Sequence, residues 1–130
     1  MSQWTHVTLT AEITSPGWKS PQELKAQVIE QLNHDSGITG SERDAQLFVI
    51  PLESNSTLFQ ENKEYHYFEQ ALIVVHGHLR DRTKEETEDE VRNFIRRLEN
   101  QFNIIKNLQY NIWENGEELW SKITNTTKML

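Results

Sequence analysis

Cysteine is absent from the 130-residue chain, which excludes disulfide bonds and metal sites built on thiolates. Positive charge is also scarce, because 13 lysines and arginines stand against 20 aspartates and glutamates, giving a formal net charge of -7. Such a surface repels the backbone of a nucleic acid, so we expect no direct nucleic-acid binding. A basic partner, or no partner, suits this charge better.

Long apolar runs are missing as well. The longest one is far shorter than a membrane span, and the opening MSQWTHVTLT has neither the basic nor the apolar region of a signal peptide. Together with the lack of cysteine, these features predict a soluble cytoplasmic protein that does not interact with a membrane. A chain of this length typically forms a single domain, which we place at residues 1–124, followed by a flexible tail at 125–130.

Two segments carry the start signals of helices. The first begins after Ser20, which is followed by a proline and, three positions on, by Glu23, so that the two residues can form a capping box. Its buried stripe is predicted to consist of Leu24, Val28 and Leu32. The second begins after Thr83, with Glu86 in the same relation. Its apolar residues recur at spacings of three and four, and they are Val91, Phe94, Ile95, Leu98 and Phe102.

Four segments have the alternation or the β-branched content of strands, and they are residues 4–13, 45–53, 65–79 and 103–113. Pro51 cannot donate to a ladder and therefore places the second strand at a sheet edge. A turn at Asn115 and Gly116 leads into a short fifth strand. The polar runs 34–44 and 54–64 are predicted to be loops.

The resulting order, β-α-β-β-α-β-β, is that of an α+β protein and specifically of a ferredoxin-like βαββαβ sandwich with an added C-terminal β-strand. In this architecture two helices cover one face of an antiparallel sheet, and the other face is open unless a partner covers it. The apolar side chains predicted on that open face are Trp4, Leu72, Val74 and Trp113. We expect a second copy of the chain to cover them, or the 54–65 loop to fold over them with Leu58 and Phe59 as plugs.

Histidines and tryptophans of three strands are predicted to meet at one corner of the open face. In residues 65–79 the odd positions suit the helix side, with Gly77 allowing a close approach, and the even positions point to the open face. The ferredoxin-like order places the first strand between the third and the fourth and antiparallel to both, so the start of the first lies beside the end of the third. The candidate residues for binding a ligand or partner are therefore Trp4, His6, His76, His78, Arg80 and Trp113.

Three interpretations of this corner stay open. The side chains can pack on one another or against a dimer partner, they can bind a ligand or a protein, or three imidazoles can hold zinc with an open position. The sequence shows no base or nucleophile with an orienting partner, so it indicates no catalytic residue and no cofactor.

Two neighbouring polar segments have simpler explanations. Residues 40–44 have the glycine and serine content of an anion-binding loop but lack the pattern of a P-loop, which favours a mobile connector. Residues 80–82 lead from the third strand into the second helix, where Asp81 is predicted to order the turn or to pair with an adjacent arginine.

Four short motifs, WTHV, GSE, HGHLRDR and WENGEELW, give the chain a further context. In these motifs, which span most of its length, it resembles small uncharacterised proteins of tailed bacteriophages and prophages. The resemblance implies a compact α+β fold and an accessory protein made in an infected bacterium, serving host takeover or evasion of host defence. His78 stands where such proteins often have an aspartate.

Three functions compete on this basis. The first is a non-enzymatic accessory protein that binds a bacterial host protein in the host cytoplasm. The second is a protein that sequesters a nucleotide or another small ligand, with a tryptophan stacking on the base and Arg80 and the histidines holding phosphate. The third is a metal-dependent hydrolase that uses His6, His76 and His78.

Overall fold

The computed structural model of the chain describes residues 3–17, 19–60, 63–114 and 128–129. Its elements alternate between strands and helices much as the sequence predicts. In chain order they are β1 (Trp4–Thr14), α1 (Pro21–Gln31), β2 (Gln46–Gln60), β3 (Lys63–Arg80), α2 (Lys84–Gln101), β4 (Ile104–Glu114) and β5 (Lys128–Met129).

The strands form one sheet in the order β2-β3-β1-β4-β5, and each adjacent pair is antiparallel. The predicted α+β class is therefore confirmed. β2, which contains Pro51, lies at the edge of this sheet as the proline requires. β1 lies between β3 and β4, as predicted. Its side chains therefore have neighbours from both of these strands.

Both helices cover the same face of the sheet. Every second residue of β1 is buried, and the buried positions of α1 and α2 join them in one core. α1 begins at Ser20, whose side chain accepts a hydrogen bond from the Glu23 backbone, and its predicted stripe of Leu24, Val28 and Leu32 is fully buried. The predicted apolar stripe of α2 is buried too. Because only one face of β1 is covered, its other face is open in the described part of the chain.

The prediction of a loop at 54–64 is wrong. β2 and β3 continue their pairing to Gln60 and Lys63, with Leu58 opposite Tyr65 and Phe59 opposite Glu64. Polar residues suggested a loop, but a hairpin that extends beyond the core needs no apolar alternation, because its stability comes from backbone and cross-strand pairs. Leu58 and Phe59 belong to this ladder, so the predicted loop that plugs the open face does not form.

β4 contains an irregularity that the alternation alone does not show. Leu108 and Tyr110 of this strand are buried, but the register against β1 shifts between Thr10 and Glu12. Asn107 lies at this shift with a φ of 54°, a left-handed conformation that asparagine tolerates better than most residues and that is typical of a β-bulge. Before the bulge the parity is reversed, so that Ile105 packs against the core.

The predicted turn at 115–116 and the fifth strand expected after it lie outside the described residues. The strand that the structure describes beside β4 is Lys128–Met129, whose backbone pairs with Gln109 and Tyr110. The domain limits of 1–124 and the flexible tail stay predictions. None of the described helices is long and apolar enough to cross a membrane.

Candidate binding site at the corner of the open face

The strand register brings the predicted site residues to one end of the sheet. Trp4 is opposite Arg80 and His6 is opposite His78 in the pairing of β1 with β3. On its other side His6 is opposite Trp113 of β4. His76 lies two positions before His78 in β3 and is opposite Thr8 of β1. The six predicted residues therefore lie on three adjacent strands, on the face that the helices leave open.

The three histidines contact one another. The Nδ1 atoms of His6 and His78 are 2.6 Å apart, and their rings meet edge to face with centroids separated by 4.7 Å. The ring of His76 stands at 83° to that of His78 at a centroid distance of 5.0 Å, and its Nδ1 lies 3.1 Å from the Thr8 hydroxyl. Trp113 extends the cluster, since its ring centroid is 5.4 Å from that of His6. We call His6, His76, His78 and Trp113 the imidazole cluster.

Crowding of imidazoles disfavours their charged form. Partial burial of the ring, followed by the positive charges that His6 and His76 would carry, lowers the pKa of His78 below its ordinary value of 6.5. The contact between His6 and His78 also disfavours a charge on both rings. A hydrogen bond between two Nδ1 atoms needs a proton on one and a lone pair on the other. His78 is therefore neutral at pH 7.

The 40–44 loop is fastened to this corner. The backbone N–H of Ser41 donates to the carbonyl of Arg80 over 3.0 Å, and its hydroxyl donates to the Asp81 carboxylate over 3.0 Å. The guanidinium of Arg80 pairs with the Glu42 carboxylate. The segment thus has defined contacts with the end of β3. The prediction of a mobile connector did not include these contacts.

Two glycines permit this close approach. A Cβ at Gly77 would lie 2.7 Å from the Cα of Ala45, and one at Gly40 would lie 2.7 Å from the Arg43 carbonyl oxygen and 3.1 Å from the Cα of Leu79. Real Cβ atoms essentially never come within 3.0 Å of such atoms, so a larger residue at either position would displace the loop. The predicted role of Gly77 is thereby confirmed, and its neighbour is the segment that leads into β2.

The loop and the strands enclose a cleft of about 280 Å³, which the sequence did not predict. The strands contribute Trp4, His76, Gly77 and His78, and the loop and the start of β2 contribute Glu42, Arg43, Asp44 and Gln46. The only sequence signals were the two glycines and the loop composition, because residues more than 30 positions apart line the cleft. Arg80 lies at its rim through Glu42, whereas His6 and Trp113 lie farther along the imidazole cluster.

The turn after β3 has the ordering role expected of an aspartate. Asp81 adopts a φ of 59°, its backbone N–H donates to the Gln3 carbonyl over 2.6 Å, and its carboxylate accepts from Ser41 rather than from an adjacent arginine. Arg82 donates to the backbone carbonyl of Asp81 over 3.3 Å and to the carbonyl of Thr39 over 3.2 Å. The turn is thereby joined to the same loop.

A second part of the open face is apolar. Phe48 and Ile50 of β2 are 46% and 47% exposed, and they lie opposite Val74 and Leu72 of β3. This apolar patch, made by these four residues, begins next to the cleft, because Gln46 is the next residue of β2 on the same face. The predicted exposure of Leu72 and Val74 is partial, since both are half-buried.

Among residues 3–17, 19–60 and 63–114, no group of three or more histidine, cysteine, aspartate or glutamate side chains has positions that could hold a metal ion. Comparisons with known proteins give no assignment: no protein-family model, no curated protein and no solved structure matches the chain. Function has to be inferred from the corner itself.

Proposed function

We propose that the protein is a non-enzymatic accessory protein that binds a bacterial host protein through the open face of its sheet. The observation that carries the proposal is the joining of three surfaces at one place: the imidazole cluster, the cleft beside it and the apolar patch. Aromatic side chains around a partly desolvated cleft are typical of the energetically important centre of a protein interface.

The composition of the open face supports a binding role. Isolated exposed apolar residues are common on any protein, but Phe48 and Ile50 are adjacent on one face and continue into Val74 and Leu72. A contiguous patch of this kind on a single-layered sheet is typical of a site that contacts another molecule.

The histidine rings of the corner support the non-enzymatic part of the proposal. A catalytic imidazole is commonly oriented by a carboxylate and placed beside a nucleophile. The ring of His78 contacts those of His6 and His76 edge to face. Rings that contact one another in this way suit a recognition surface of flat, amphipathic groups.

The cellular setting is part of the same proposal. The resemblance to small phage and prophage proteins supports a role in an infected bacterium, in its cytoplasm, in host takeover or evasion of host defence. The net charge of -7 favours a host protein that presents a basic surface.

We also propose that the fold is ferredoxin-like with an added C-terminal strand. The support is the chain order βαββαβ together with the neighbour relations β2-β3-β1-β4, with both helices on one face. The added strand of this assignment follows the turn at 115–116 and lies outside the described residues, whereas β5, beside β4, falls at 128–129.

The cleft favours a second candidate function, which is the capture of a nucleotide. Its volume of about 280 Å³ lies near the lower limit for small-molecule sites, and Trp4 offers a ring for stacking. Tryptophan fluorescence during titration with cyclic and ADP-ribose-type nucleotides tests it. Saturable quenching with a raised melting temperature supports this function, whereas unchanged values across the panel count against it.

A pull-down from bacterial lysate tests the main proposal. We expect a host protein to bind the wild-type chain and to be lost from the double variant Trp4→Ala with His76→Ala, which removes two rings of the corner. The control is Arg96→Ala with Glu99→Ala on the exposed side of α2, which also leaves the net charge unchanged. Absence of a partner, or a partner that both variants retain equally, contradicts the proposal.

A further inference from the structure

The charged groups around the cleft favour a cation over an anion. Asp44 and Arg43 are both exposed in the loop, and Glu42 contributes a second carboxylate. Arg80, which the sequence suggested as a phosphate ligand, is already paired with Glu42. An anion in the cleft would thus meet Arg43 as its main positive charge and the Asp44 carboxylate as a nearby repulsion.

The rings of the cleft act in the same direction. The contact between His6 and His78 keeps at least one of the facing nitrogens unprotonated, so at most one of these two rings can carry the positive charge that would hold a phosphate. Trp4 adds an indole, whose face attracts a cation more strongly than any other side-chain ring. The indole and the carboxylate together form an environment for a flat, positively charged group.

We propose that the cleft receives an arginine side chain of the protein partner, with its guanidinium between the Trp4 ring and the Asp44 carboxylate. This inference rests on the proposed function, since the arginine belongs to the host protein. Arginine fits better than lysine because its planar group stacks on an aromatic ring and is more weakly hydrated than an ammonium. The cleft volume of about 280 Å³ suits one side chain, and the net charge of -7 attracts a basic surface.

The test is a titration of the isotope-labelled, full-length protein with arginine amide, followed by nuclear magnetic resonance. We expect saturable shifts of the Trp4 indole N–H and of the backbone amides of Asp44 and Gln46, with a dissociation constant on the order of 1 mM, as is reasonable for one ion pair and one ring contact. Lysine amide, inorganic phosphate and adenosine monophosphate are titrated in parallel, and we expect each to bind there more weakly.

Variants separate the contributions. Asp44→Asn is expected to weaken arginine amide about three- to fivefold, as for a solvent-exposed ion pair, and Trp4→Leu about three- to tenfold. Glu99→Gln on α2 removes the same charge far from the cleft and serves as the control. Melting curves establish that each variant is folded.

Absence of shifts at the cleft overturns the inference, and so does tighter binding of phosphate or adenosine monophosphate at the same residues. An affinity for arginine amide that Asp44→Asn leaves unchanged overturns it too. The two proposals fail separately. If arginine amide binds but no host protein depends on Trp4 and His76, the proposed function is wrong. If the host protein depends on them but arginine amide does not bind, the occupant of the cleft is wrong.

Discussion

Individual residues determine the chemistry of the corner. His6 and His78 share one Nδ1–Nδ1 contact of 2.6 Å, which tolerates one proton between the two nitrogens but not a proton on each. His78, whose pKa is lowered in the folded state, therefore makes that state sensitive to acid, although it is not in the core.

Stability is expected to depend on pH through His78. Its pKa is lowered in the folded state, by partial burial and then by His6 and His76, so below pH 6.5 the unfolded chain takes up the proton more readily. The stability present above that value is lost as the pH falls, until the folded imidazole is protonated too. Replacing His78 by glutamine should reduce this loss.

Urea unfolding at roughly pH 7.5 and pH 5.5 measures the effect, because the histidine charge changes between these values. His34→Gln is the control, since His34 lies on the far side of the sheet in an exposed pair with Glu30. If His78→Gln has the same acid sensitivity as the wild type, the cluster does not titrate as described.

One glycine and one asparagine show how far a sequence can predict local structure. Gly77 was recognisable as a point of close approach, because a residue without a side chain stood in an alternating strand. Asn107 was not recognised, although its left-handed φ of 54° produces the bulge in β4. Asparagine also occurs in strands and turns without a bulge, so its presence alone does not predict one.

At the scale of elements, both helices were predictable because their start signals are local. Ser20 and Thr83 act as N-caps, and each accepts a hydrogen bond from the residue three positions later. The extension of the β2–β3 hairpin was not predictable from polarity, since its pairing depends on the partner strand. Local signals therefore gave both helices and the four main strands, but not this extension, the bulge in β4 or the place of β5.

The start of α2 provides a test of the local signal. Thr83 accepts from the Glu86 N–H over 3.1 Å, and Glu86 reaches back to the Thr83 N–H over 3.3 Å. Thr83→Ala is expected to lower the free energy of unfolding by about 1 kcal/mol, the usual cost of losing such a cap. Thr83→Ser should retain most of it. Chemical denaturation measures both, and equal stability of the alanine variant would show that the cap contributes nothing.

At the scale of the whole molecule, the candidate site was predicted in part. The grouping of the histidines followed from alternation and strand order, whereas the cleft required the 40–44 loop to contact the end of β3 and Ala45 to approach Gly77. A contact between segments so far apart in sequence leaves no periodic pattern. Phe48 and Ile50 likewise could be assigned to the apolar patch only from the register of β2 against β3.

The apolar patch also predicts self-association through the open face. We expect a homodimer at micromolar concentration, because two-fold symmetry requires only one self-complementary surface. Phe48→Glu should place a charge in that interface and give a monomer, while Asn93→Glu on the exposed side of α2 should leave the dimer intact. Sedimentation analysis distinguishes the two states, and a wild-type monomer would contradict this prediction and leave the patch for the host protein.

The most direct test of the central claim is a histidine footprint of the wild-type protein with and without its host partner. Carbethoxylation followed by mass spectrometry reports the accessibility of each imidazole, and exposed His34 on the opposite side is an internal control. Binding at the corner predicts that His76 and His78 become protected while His34 remains reactive. Unchanged labelling of His76 and His78, or protection of His34 instead, would contradict a partner on the open face.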